Sequence, residues 1–254
     1  MKGRAPSVHA APAPPRESDP YDGVLIVDKP SGPTSHDVVD IIRRKFNFRK
    51  TGHGGTLDPL ATGVLVILIG RATKLSNAFI SSDKTYEGTI RLGTSTSSYD
   101  ADGEITDNRD PEGITDEMLA TAMKVRVGDM MQTPPMVSAV KVNGVPLYKS
   151  ARKGREIERK ARLIHVYGFE LLSYTPPDGT FRLACTKGTY VRSLCHEIGE
   201  ELGCGAHLAA LRRTVAGCFT IDQALPLDKL TCLSHKELLP HIQPMRSFAG
   251  VLRP

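Results

Sequence analysis

Hydrophobic patterning begins at Gly23–Asp28 (GVLIVD), a continuous apolar run with the length of a buried strand. The Lys29-Pro30-Ser31-Gly32-Pro33 stretch that follows is turn chemistry. Thr34 or Ser35 then caps a predicted helix to about Phe46, with Val38, Val39, Ile41, Ile42 and Phe46 on one face. A second aliphatic run, Val64–Ile69, predicts another buried strand, Arg71–Ile80 a helix, and the alternation in Thr85–Leu92 a strand. Residues 94–113, rich in Ser, Thr, Asp and Gly, are expected to form an exposed loop. Its acids lack the spacing and the terminal bidentate Glu of a calcium loop.

Farther along, Thr115 is placed to cap a helix carrying Asp116 and Glu117 in its first turn. Asn143-Gly144 between Val137–Val142 and Val145 predicts a hairpin, because Asn-Gly supplies the positive φ angles of a type I′ turn. Leu163–Tyr174 and Phe181–Cys185 read as strands around a Pro176-Pro177-Asp178-Gly179 turn. Gly188-Thr189-Tyr190 leads into an amphipathic helix to about Leu202 with Thr189 as its cap, and a further helix is predicted over about Ala206–Thr214. Irregular alternation of strands and helices with an antiparallel hairpin gives the class: α+β, around one large sheet.

Leading into the second aliphatic run and including it is Thr51–Gly70, TGHGGTLDPLATGVLVILIG. Gly-Gly and Asp-Pro make its first half a loop, and Pro59 pushes Asp58 out of the α region. A turn aspartate bonding its own backbone satisfies this pattern. So does a catalytic carboxylate on a glycine-lined loop held against the core.

Composition narrows the choice. The chain of 254 residues is 40% apolar, enough for one large domain, and no apolar run reaches membrane-spanning length. Residues 1–20, with five prolines and four alanines and no apolar core, are expected to be a disordered leader rather than a secretion signal. Five cysteines, none in a C-x-x-C pair, offer neither a disulfide framework nor a zinc knuckle, and a reducing cytoplasm is the expected location. The net charge of +5 is unevenly spread. Residues 43–50 carry Arg43, Arg44, Lys45, Arg49 and Lys50 without an acid, and residues 146–165 carry seven Lys or Arg, among them Lys149, Arg152, Lys153 and Arg155, against two Glu. Interleaved Phe46, Phe48 and Tyr148 make these clusters a candidate nucleic-acid surface, with a solvated helix face as the alternative for each. Nucleotide-binding glycine loops and the G-x-S-x-G elbow do not occur. His53 and His36 have no partner histidine at ligand spacing.

Five motifs occur in order: Asp28-Lys29-Pro30-Ser31-Gly32-x-Thr34-Ser35; Gly52-His53-x-Gly55-Thr56-Leu57-Asp58-Pro59-x-Ala61-Thr62-Gly63; Lys84-x-Tyr86 with Leu92-Gly93; Pro134-Pro135-x-x-Ser138-Ala139-x-Lys141; and Lys187-Gly188-Thr189-Tyr190-x-Arg192-Ser193-Leu194. From about Gly23 to Phe219, including Leu211-Arg212-Arg213, the chain resembles the TruB family of tRNA pseudouridine synthases, which isomerise the T-loop uridine at position 55. The resemblance implies the pseudouridine synthase fold, a large mixed and mostly antiparallel sheet flanked by helices and loops. It implies an isomerase acting without cofactor or metal on tRNA, and a monomer.

By the same resemblance Asp58 is the catalytic aspartate, Tyr86 stacks on the target base, and Arg192 holds Asp58 ionised. His53 holds the flipped nucleotide, Leu211 lines the base pocket, and Lys29 and Tyr190 buttress the site. Gly54, where bacterial members usually carry Thr, and His196-Glu197, in place of an acidic pair, depart from the family pattern. The expected organisation is a catalytic domain over 21–220 and a short C-terminal tail over 221–254, too short for a PUA-type RNA-binding domain. A catalytically silent RNA-binding protein on the same fold is the alternative from another class. A carboxylate hydrolase would need a second carboxylate, which the sequence does not nominate.

Overall fold

The computed structural model describes residues 19–136, 141–142, 145–146 and 157–252. Both aliphatic runs are strands, β1 (Gly23–Lys29) and β3 (Thr62–Ile69), paired antiparallel along their length. They lack polar alternation because both faces are covered. Leu25, Val27, Leu65, Ile67 and Ile69 enter the main core, while Val24, Ile26, Val64, Val66 and Leu68 pack on the opposite face against Ala72, Leu75, Phe79, Phe219 and Phe248. Between them run α1 (Ser35–Lys45) and the short β2 (Thr51–His53). Thr34 closes a capping box with Asp37, and Val38, Val39 and Ile42 are buried as the helical period requires. Ile41, expected on that face, is instead 38% exposed, a turn position away from the buried stripe.

The predicted helix after β3 is a 3₁₀ segment (Gly70–Leu75) continuing into α2 (Ser76–Ile80). Then come β4 (Lys84–Leu92), β5 (Thr94–Thr96), β6 (Ile105–Asn108), α3 (Asp116–Lys124, with Thr115 accepting at its N-cap) and β7 (Gly128–Gln132). β8 (Lys141–Val142) and β9 (Val145–Pro146) pair as the expected hairpin, Val142 opposite Val145; its Asn143-Gly144 turn lies outside the described residues. β10 (Arg162–Thr175), β11 (Asp178–Cys185), α4 (Val191–Glu201) and β12 (Ala206–Ala216) complete the centre. Short elements follow: β13 (Phe219–Thr220), β14 (Leu225–Pro226), α5 (Leu227–Cys232), α6 (His235–Leu238) and β15 (Ile242–Pro244).

Eleven described strands form one sheet, with β14-β1-β3-β12-β4-β11-β10-β7 as its main path and β2, β13 and β15 as side branches. Only β1–β14 and β3–β12 are parallel, so the sheet is mixed and mostly antiparallel. The segment after residue 220 packs onto this sheet. β14 and β15 pair with β1, and Leu227, Leu230, Leu238 and Ile242 join the main core.

Three expectations change. Residues 206–216 form a central strand, not a helix. Leu208 and Leu211 are three apart, as on a helix, because a bulge inserts Ala209 between the Leu208–Ile90 and Ala210–Thr89 pairs. The 94–113 segment is not simply an exposed loop: β5 and β6 pair, and Ser95, Thr96, Ser98 and Asp100 are buried. Thr189 does not cap α4. Its hydroxyl donates to the Thr186 carbonyl at 2.9 Å, and Tyr190 occupies the cap position.

Candidate active site

Asp58 stands where the loop between β2 and β3 returns to the sheet, and five contacts fix that loop. The Ser35 hydroxyl, at the start of α1, accepts from Leu57 N at 2.8 Å and donates to Leu57 O at 3.0 Å. The Pro59 carbonyl accepts from Lys29 Nζ at 3.1 Å and from Gly32 N at 2.9 Å. Ala61 N donates to Asp58 O at 3.1 Å. Gly63, at φ +97°, lets β3 leave the loop against β12: a Cβ there would lie 2.2 Å from the Arg213 carbonyl.

Beneath the loop lies Arg192, one residue into α4 and 3% exposed. Its Nε sits 3.0 Å from Asp58 Oδ2, and its Nη1 sits 3.3 Å from Asp100 Oδ2 and donates to Ser98 O at 3.1 Å. One guanidinium therefore joins two carboxylates from segments that are distant in sequence. The planar fork suits this role better than an ammonium would. Asp58 keeps 41% of its side-chain surface accessible, whereas Asp100 keeps 5%. Loss of surrounding water pushes the Asp58 carboxyl above its ordinary value, Asp100 and Asp102 add to that push, and Arg192 and Lys29 oppose it. Asp100 is not among the residues lining the cleft, so it is no second carboxylate for a hydrolase.

That cleft has a volume of about 320 Å³, within the size range of small-ligand pockets, about 300–1,000 Å³. Asp58 and Arg192 share it with Tyr86, Lys84, Tyr190, Leu211 and Arg213. Tyr86 and Arg213 are register partners across β4 and β12, which brings the guanidinium near the phenol. Burial pushes the Tyr86 phenol up while Arg213 opposes the shift. Arg213, 2% exposed, also donates to Val64 O at 2.7 Å, Thr56 O at 3.2 Å and Gly55 O at 3.2 Å. It thus links β12, at the position opposite Tyr86, to the loop of Asp58. Lys84 Nζ donates to the carbonyls of Phe79, Ile80 and Ser82, and desolvation lowers its pKa to about 8.

Of the residues singled out by sequence, Asp58, Tyr86, Arg192, Tyr190 and Leu211 meet at the cleft. Lys29 lies behind it as a fully buried support of the Pro59 carbonyl, its pKa lowered by desolvation to about 8. His53 is not among the lining residues; its Nδ1 accepts from Gly55 N at 3.4 Å, and burial lowers its pKa. Tyr190 is clamped at its backbone by the buried Gln132, which accepts from Tyr190 N at 2.7 Å and donates to Tyr190 O at 3.0 Å. Sequence reasoning missed Gln132, Ser98, Asp100 and the role of Arg213. For Arg213 a signal existed: on a strand, adjacent arginines face opposite sides, so one of Arg212 and Arg213 must point toward the core.

Arg43, Arg44, Lys45, Arg49 and Lys50 are exposed, with Arg43 3.0 Å from Asp40. Their interleaved aromatics do not form a base-contacting surface. Phe46 is buried, and Phe48 stacks on it within a cluster that includes Tyr21 and His235, because both rings complete the core under α1. Lys149, Arg152, Lys153, Arg155 and Tyr148 lie outside the described residues, as do residues 1–18. No helix among the described residues is long and apolar enough to cross a membrane.

Comparisons with known proteins identify the family. A family model described as TruB family pseudouridylate synthase (N terminal domain) matches residues 43–191, and one described as tRNA pseudouridylate synthase B C-terminal domain matches residues 192–249. The tRNA pseudouridine synthase B of Opitutus terrae is 53% identical over 233 residues, 90% of this chain and 97% of that protein. Its counterpart in Syntrophotalea carbinolica is 47% identical, over 85% of this chain and 71% of that one. Among solved structures, a chain of a Cbf5-Nop10-Gar1 complex superposes with a TM-score of 0.72 at 33% identity, covering 92% of this chain and 63% of that one. An H/ACA RNP bound to a substrate RNA containing 2'-deoxyuridine gives 0.68 at 29%, covering 91% and 62%. This chain spans about three-fifths of those two solved chains. With the matched models, the relatives and the fold in agreement, the chain belongs to the TruB family of pseudouridylate synthases and is an isomerase of the tRNA pseudouridine synthase B kind.

Proposed function

We infer that Asp58 is the nucleophile that converts the T-loop uridine at tRNA position 55 to pseudouridine after the nucleotide is turned out of its stack. The observation that carries this reading is the half-exposed Asp58 carboxylate at the cleft, 3.0 Å from a buried guanidinium. The reaction is an isomerisation: the N1–C1′ bond breaks, a C5–C1′ bond forms, and the proton leaving C5 is matched by one gained at N1. A carboxylate attacking the sugar carbon or the uracil ring and later expelled balances it without an added reactant. Arg192 keeps that carboxylate ionised against the desolvation that raises its pKa.

Tyr86, with its ring at the cleft, stacks on the extruded uracil, and Leu211 packs beside it. Lys29 and Tyr190 buttress these groups. His53, off the cleft lining, is assigned to the nucleotide backbone on resemblance alone. The exposed 43–50 cations and the cluster around Lys149, Arg152, Lys153 and Arg155 contact phosphates, which makes affinity salt-dependent. The enzyme then works as a cytoplasmic monomer on the T-arm, with no cofactor, through a catalytic unit over 21–220 to which the C-terminal tail adds.

Asp58→Asn tests the assignment, read by single-turnover conversion of a tRNA transcript and by filter binding. Binding within a few-fold of wild type with conversion abolished is the expected result. Substantial residual conversion defeats it. A turn-closing aspartate would be nearly silent as Asn, which favours the same turns.

A further inference from the structure

The face of α4 that carries Arg192 also carries His196, one turn later. Its imidazole lies flat on the ring of Tyr99, centroids 3.9 Å apart and planes 6° from parallel. Tyr99 stands between Ser98 and Asp100, the two residues that hold Arg192 Nη1 from the side away from Asp58. Its backbone is unusual for a residue with a side chain, at φ +65°. Such a conformation costs on the order of 1–3 kcal/mol and persists only where its surroundings enforce it.

Backbone bonds hold the flanks of that turn. Leu208 N donates to Tyr99 O at 3.0 Å, Ala101 N to Leu208 O at 3.0 Å, and Tyr99 N to Thr96 O at 3.1 Å. Two of these bonds are made by Tyr99 itself, so they hold its backbone in place but leave its ring to be supported by packing. On the side facing α4, the stacked imidazole meets the turn. Its Nδ1 is buried without a hydrogen-bond partner, so the contact rests on ring packing rather than on a polar anchor.

We propose that the Tyr99–His196 stack is a positioning element for catalysis: it presses the Ser98–Asp100 turn onto α4 and so fixes the orientation in which Arg192 meets Asp58. His196 and Tyr99 are positioning residues, since neither lines the cleft. The proposal rests on the reading of Arg192 as the partner that orients Asp58. Without the stack, the Tyr99 ring loses its packing on α4, and the turn that carries it can shift against that helix. Ser98 O and the Asp100 carboxylate then move relative to Nη1, and small misplacements at a reacting group are amplified in rate.

The test is single-turnover pseudouridine formation and tRNA affinity for four variants: His196→Ala, His196→Phe, Tyr99→Gly and Arg192→Lys. His196→Ala is expected to lower the rate about tenfold with affinity within about twofold, and His196→Phe, which keeps a flat ring, to restore it to within about threefold. Tyr99→Gly removes the ring while suiting the left-handed backbone, so it reads the same loss even if His196→Ala folds poorly. An unchanged rate in His196→Ala and Tyr99→Gly overturns the proposal. So does a loss that Phe does not restore, or one shared equally by rate and affinity. Arg192→Lys separates the two levels. If it is silent, the reading of Arg192 fails; if it is crippled while both stack variants are normal, the stack alone is dismissed.

Discussion

Two segments meet at Arg192, and they reach it by opposite routes. The Asp58 loop is shaped by turn chemistry legible in its own sequence, Gly63 at φ +97° and Pro59 fixing its predecessor, and is tied to the start of α1 by Ser35 bracketing Leu57. The 94–113 segment has a composition suited to water, yet it buries Ser95, Thr96, Ser98 and Asp100. The first leaves its carboxylate open to the cleft and the second seals its own away, at 41% and 5% accessible. The same cation thus meets an accessible carboxylate and a sealed one. The difference teaches that accessibility, more than residue type, distinguishes two aspartates on one guanidinium.

Asp100→Asn strikes this comparison hardest. It keeps the shape but removes the buried charge behind Arg192, and the expected outcome is a single-turnover rate lower by about 100-fold with tRNA affinity retained. Breaking one side of a buried pair also lowers stability by about 3 kcal/mol, read by urea unfolding. If the segment acted only as a solvated loop, the variant would match wild type in both measurements.

A smaller effect is expected on the other side. Ser35→Ala leaves Leu57 N and O without their side-chain partner inside the protein, which costs about 1–3 kcal/mol in the same unfolding assay. Turnover should fall with it, because Leu57 adjoins Asp58. A stable but slow variant would show that the two bonds set loop geometry more than they hold the fold.

The smallest effect concerns the buried cation at the cleft wall. Lys84 has a pKa near 8 when folded against an ordinary value of 10.5, so between these values the unfolded chain binds more protons. Its contribution to stability is therefore present above about 10.5 and lost as pH falls through about 8. Lys84→Met removes that dependence. The difference in unfolding free energy between wild type and variant should change between pH 8 and 9 by at most about 1.4 kcal/mol. A difference flat across that range would mean that the ammonium is not desolvated.

Much of this molecule is readable without coordinates. β1 and β3 announce themselves as aliphatic runs, α1 by its cap and buried stripe, and β10 and β11 by the turn between them. Asp58 is picked out by its glycine-rich, Asp-Pro setting, and five side chains proposed for the site do converge on one cleft. The misreadings share a cause. Leu208 and Leu211 imitate a helix because a bulge shifts the strand's parity, and that bulge exists only in pairing with β4. Phe46 and Phe48 sit among cations in sequence yet turn inward, because α1 needs a floor.

The sequence by itself determined the elements whose signals lie within a few residues: apolar period, cap, turn residue, and the proline that stiffens Asp58. Tertiary structure alone decided that β12 lies between β3 and β4, which delivers Arg213 to Tyr86 and to the Gly55 and Thr56 carbonyls. It also decided that a polar loop is buried, which delivers Asp100 to Arg192. The reason is the range of the forces. Backbone preference is fixed by a residue and its neighbours, whereas the burial of a charge is settled by whichever partner the fold brings to it from far along the chain.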